Sequence, residues 1–110
     1  GEVQKAIDHY QQALAIAREI GDRQGEGSDL GNLGSAYIAL GDRETALRFL
    51  LQGFIMLRET ESPDAAVIAG NLARLREDLG EEEFSSLLHK VTEALGISIG
   101  SGPPQGTTSA

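Results

Sequence analysis

The feature that most constrains this chain is its likeness to itself. Shifted by forty residues, GEVQKAIDHYQQALAIARE lies on GDRETALRFLLQGFIMLRE, pairing Gly1 with Gly41, Ala6 with Ala46, Gln12 with Gln52, Arg18 with Arg58 and Glu19 with Glu59. A shift of thirty-nine lays Gly31-Asn32-Leu33 on Gly70-Asn71-Leu72 and Leu40-Gly41 on Leu79-Gly80. A unit repeated at that period stacks on its own neighbours, so the chain is read as an array rather than as a closed globule.

Each unit reads as a pair of helices. From Val3 to Ile20 apolar residues recur every three or four positions, and the apolar surface, which includes Ala15 and Ile16, is wider than one stripe. Both sides of this first helix therefore call for cover. Gly21 and Gly41 are left-handed stops, each followed by an aspartate suited to N-capping. Helices are predicted over residues 2–20, 23–40, 43–60, 63–79 and 82–95, with Leu30, Leu33, Ala36, Tyr37 and Leu40 on the buried side of the second. That helix also holds Gly25, Gly27, Gly31 and Gly34, each costing about 1 kcal/mol against alanine in a helix interior. Close approach of a neighbouring helix would repay them; fraying up to Gly27 is the alternative. Ser62-Pro63-Asp64 is a start signal, with Ser62 as N-cap and Pro63 in the first helical position. The fold class is all-α, with five helices forming one domain over residues 1–96 and a Gly/Ser/Pro-rich tail, 97–110, read as disordered, with Ile97 and Ile99 laid back on the last helix.

Composition removes several functions. The net charge is −8, and nucleic acid or an acidic membrane surface requires clustered Lys and Arg that this chain lacks. Without cysteine there is no thiolate metal site, and that absence fits a reducing, cytoplasmic setting. No apolar run approaches the roughly 20 residues of a membrane-spanning helix. The opening Gly1-Glu2-Val3, without Met, suggests a fragment. His9 and His89 lack further ligands at metal spacing, and Ser85 and Ser86 lack a nucleophile's context, so neither cofactor nor catalysis is expected.

The run Leu30, Leu33, Gly34, Tyr37, Gly41, Ala46 resembles the tetratricopeptide repeat signature, large-x2-Leu-Gly-x2-Tyr followed by the small residue of a second helix. The period and the stretch AIAREIGDRQGEG resemble the longer variant found in kinesin light chain and in bacterial signalling scaffolds. The resemblance implies a right-handed α-α superhelix of two and a half repeats, running to about residue 95 and weakening after Thr60. In the last pair Gly34 becomes Ala73 and Tyr37 becomes Arg76, as in a C-terminal cap that has no further neighbour.

The same resemblance assigns a concave groove, lined in the complete repeat by Ser28, Gly31, Asn32, Ser35, Ile38 and Ala39. In the last pair the matching positions are Val67, Gly70, Asn71, Arg74, Glu77 and Asp78. An extended peptide or a partner helix, basic or amphipathic to suit the acidic chain, would lie there. Asn32 and Asn71 are the leading candidates, because a primary amide both donates to and accepts from a peptide backbone. The alternative is that these amides bond only to neighbouring helices or solvent. Arg74 is the lone cation of the groove, with Glu77 and Asp78 beside it, so a clamp for a terminal carboxylate is disfavoured. A second function remains open, self-association as a homodimer through Ile7, Tyr10, Leu14 and Ala17 of the exposed first helix, as does a third, a helical appendage of a larger signalling protein or enzyme.

Overall fold

The computed structural model describes residues 1–97; the expected tail, Ile99 included, lies outside the described residues save for Ile97. Five helices follow one another, α1 Glu2–Ile20, α2 Arg23–Leu40, α3 Arg43–Glu59, α4 Ala65–Leu79 and α5 Glu81–Leu95, with no strand among the described residues. This is the all-α helical repeat expected. α1, α2 and α3 pack consecutively, α4 packs on α3, and α5 on both α3 and α4.

Local sequence explains the joints. Asp22 Oδ1 accepts from Gly25 N at 2.9 Å and Asp42 Oδ1 from Thr45 N at 3.2 Å, so both aspartates cap as their position predicts. Gly21, Gly41 and Gly96 take left-handed conformations, and the residue after each donates its N–H back to Ala17, Tyr37 and Thr92 respectively. α3 ends in the same way, but its left-handed residue is Glu61, with φ 56°. Ser62 N donates to Leu57 O at 2.8 Å to complete that turn.

Ser62 caps the start of α4 as expected: its Oγ accepts from Asp64 N at 3.2 Å, the bond an N-cap makes two residues on. Pro63 and Asp64 follow in a tight first turn, in which Ala65 N donates to Ser62 O and Ala66 N to Pro63 O, so the regular α-helix runs from Ala65 instead of Pro63.

The glycines of α2 are repaid by packing. A methyl on Gly34 would lie 2.6 Å from the Leu50 side chain, one on Gly27 2.8 Å from Leu57, and one on Gly31 2.7 Å from Ile68. Gly53 answers from α3, where a methyl would stand 2.8 Å from Gly27 O. The two backbones therefore meet directly, and α2 is helical from Arg23 with no frayed start.

One buried cluster joins Ile7 and Leu14 of α1 to Leu30, Leu33 and Ala36 of α2, and a second joins α3, α4 and α5 around Leu47, Leu50, Ile68, Leu75 and Val91. Tyr37 and Phe49 stack between α2 and α3 with ring centroids 5.6 Å apart. Leu40, expected inside, is half exposed, because it is the last residue of α2 and Gly41 turns the chain away from it.

The assignment of self-association to Ile7, Leu14 and Ala17 is corrected by this packing. They are 1%, 6% and 5% exposed, so their side chains are spent inside the chain's own fold. α1 turns Ile7, Leu14 and Ala17 to the neighbour it has, α2, while Ile16 and Ile20 on its other side stay exposed. Tyr10, the fourth candidate, is half-buried at the edge of that contact.

Candidate functional site

α2 and α4 lie side by side, and the face they share is built from small and polar residues. Ser28, Asn32 and Ser35 follow one another at helical spacing along α2; Val67, Asn71, Arg74 and Asp78 do the same along α4. Gly31 admits the side chain of Ile68, which sets how closely the helices approach. Asn71 Nδ2 donates to Ser35 Oγ at 3.2 Å, a bridge across the seam.

The bridge divides the groove. On one side is a cavity of about 260 Å³ lined by Ser28, Gly31, Asn32, Leu57, Asp64, Val67 and Ile68. On the other is one of about 160 Å³ lined by Ile38, Arg74, Leu75 and Asp78. Ser35 and Asn71 line both.

Of the residues expected in the groove, Ser28, Asn32, Ser35, Ile38, Val67, Asn71 and Arg74 therefore come together. Gly70 and Glu77 line neither cavity, and Ala39 lines a different hollow against α1. Four lining residues escaped the sequence reading: Leu57, Asp64, and Ile68 and Leu75, which read as core. Leu57 of α3 forms part of the wall, because the glycines above let it through. Asp64 read as a helix-start acid, yet its carboxylate makes no capping bond and borders the larger cavity.

The two asparagines are not equivalent. Asn71 is half-buried and spends one donor on Ser35. Asn32 is exposed, and no hydrogen bond among the described residues engages its amide. Asp64 and Asp78 stand in different halves of the groove, and Arg74 is the cation among its lining residues. Such a surface offers neutral donors and acceptors with an acidic margin.

Among the described residues no group of three His, Cys, Asp or Glu is placed to hold a metal, and no helix is long and apolar enough to cross a membrane. Asp29, on α2, has a pKa raised above its ordinary value. Partial burial raises it, Asp22 raises it further, and His9 draws it back. It lines none of the groove cavities.

A family model described as Tetratricopeptide repeat matches residues 1–59. Comparison with curated proteins and with solved structures finds no match.

Proposed function

Because the chain belongs to the tetratricopeptide repeat family, whose repeats generally mediate protein–protein interaction, we propose that it is a non-catalytic module holding an extended, basic peptide in the groove between α2 and α4. The observation that carries this reading is the free amide of Asn32 on the groove wall, facing the cavity that Asn71 borders from α4. A peptide backbone laid along the seam finds a donor and an acceptor at Asn32, a second amide at Asn71, and hydroxyls at Ser28 and Ser35. None of these depends on the peptide's side chains.

Side-chain preference comes from the surroundings. Val67 is exposed and offers an apolar contact, while Asp64, Asp78 and the net charge of −8 favour a partner rich in Lys and Arg. The cysteine-free composition suits a cytoplasmic setting for such an encounter.

The test is to pan a random phage-displayed peptide library on the protein, synthesise the enriched sequences, and measure their binding to wild type and to Asn32→Ala by calorimetry. Binding should weaken by about tenfold, the worth of a peptide hydrogen bond lost in a partly desolvated site, with helicity and melting unchanged. Undiminished binding to Asn32→Ala would sink the groove reading.

A further inference from the structure

The polar row along the groove is blind to register. Asn32 and Asn71 stand at equal offsets in successive repeats, so an extended chain bonded to their amides alone slides along the seam without losing specific contacts. One feature of the groove is not repeated. The larger cavity, of about 260 Å³, is bordered by Asp64, and the shift of thirty-nine that lays Asn32 on Asn71 lays Gly25, which has no side chain, on Asp64. Asp78, in the smaller cavity, differs again, because the cation Arg74 shares its lining one helical turn away.

The larger cavity has a floor and a mouth of different chemistry. Leu57 and Ile68, both buried, form its apolar floor beside Gly31. Val67, 65% exposed, stands on the rim, and Asp64 lies three residues before it, on the same side of the α4 start. Asp64 accepts no capping bond, and no ion pair among the described residues engages its carboxylate. Ser28 and Asn32 border the same space from α2. A group that suits this cavity is apolar along its length and cationic at its end, with donors for more than one acceptor.

We propose that this cavity seats one arginine side chain of the bound peptide and thereby fixes the peptide's register, a proposal that rests on the groove being where the peptide binds. The methylenes lie over Val67 and the floor of Leu57 and Ile68, and the guanidinium meets Asp64. Leucine or methionine would fill the floor but strip water from an unpaired carboxylate at the mouth. Lysine brings a point charge with three donors. The planar guanidinium has five, enough to bond the carboxylate through two of them and to reach the oxygens of Ser28 and Asn32 with others. Asn32 and Asn71 then hold the backbone, and Asp64 decides where along the seam it stops.

Peptides selected from a random phage-displayed library on the intact protein are the probe. Aligned on one another, they should share an arginine at one position, and the same library selected on Asp64→Asn should lose it. In a synthetic member, replacing that arginine by citrulline, its neutral isostere, should weaken binding to wild type about tenfold, the worth of a charge-assisted hydrogen bond, and change binding to Asp64→Asn little. Asp64→Arg should reject the arginine peptide and accept one with glutamate in its place. Glu82→Gln removes one charge from the exposed start of α5, away from the groove, and should leave the ratio of arginine to citrulline binding unchanged. Circular dichroism of Asp64→Asn should match wild type, since the carboxylate makes no capping bond. Peptides that need Asn32 but share no arginine, or whose citrulline forms bind equally well, overturn the arginine seat and leave the groove reading standing. A ratio lowered as much by Glu82→Gln as by Asp64→Asn also overturns the seat, for then net charge alone selects. Peptides indifferent to Asn32→Ala, or a library that yields no binder, overturn both.

Discussion

Asn71 Nδ2 lies 3.2 Å from Ser35 Oγ, and through this bond α4 is tied to α2 at the middle of the groove. The bond ranks the two asparagines, since Asn71 is partly committed to the fold while Asn32 is not. Asn32→Ala should therefore leave the melting temperature within experimental error, whereas Asn71→Ala should lower stability by about 0.5–1 kcal/mol, the net worth of one hydrogen bond. Urea denaturation of the two variants checks the ranking.

Glu61 occupies the left-handed position that Gly21, Gly41 and Gly96 take at the other turns. A side chain there costs roughly 1 kcal/mol against its preceding carbonyl, and Glu61 is exposed, so it recovers little in contacts. Glu61→Gly should raise stability by about 0.5–1 kcal/mol, read as a shift in urea midpoint at constant slope.

Two glycine substitutions should move in opposite directions. A methyl on Gly53 would meet Gly27 O at 2.8 Å and Gly31 N at 3.0 Å, backbone atoms that cannot swing aside. Gly53→Ala should cost about 1–3 kcal/mol by forcing α2 and α3 apart. A methyl on Gly70 meets nothing within 4 Å, so Gly70→Ala should stabilise α4 by about 0.5–1 kcal/mol through helix propensity alone. Thermal melts of both variants side by side provide the comparison.

Asp29 has a pKa raised above its ordinary value of 3.8, chiefly by burial and then by Asp22. The folded state therefore holds its proton more tightly than the unfolded chain. Its contribution to stability is complete below the ordinary carboxylate range and is lost as pH rises through the raised value. Asp29→Asn should stabilise the protein at pH 7 by under about 0.5 kcal/mol, with the gain shrinking towards pH 3. A gain equal at both pH values would contradict the assignment.

Much of the candidate groove was legible because its residues repeat. Asn32 and Asn71 follow Gly31 and Gly70 at equal offsets, and offset along a helix dictates which face a residue occupies. Asp64 was not legible, since an acid near a helix start has an ordinary role at the dipole and only its missing capping bond shows it free. Glu61 was hidden because left-handed turns are recognised by their glycine, and this one has none.

By itself, then, the sequence determined what is local and periodic. The five helices, the aspartate caps after Gly21 and Gly41, and the recurrence of one helix pair all follow from spacing and backbone preference within a few residues. The tertiary structure decided which of several apolar faces found a neighbour. α1 carries more apolar surface than one contact consumes, and Ile7 and Leu14 were buried while Ala6, Tyr10, Ala13 and Ile16 were left partly open. It likewise decided that Asn71 would be bridged and Asn32 free, and that Gly53 would answer the glycines of α2. Period fixes the direction in which a side chain leaves its helix, whereas its burial depends on whether another helix stands in that direction.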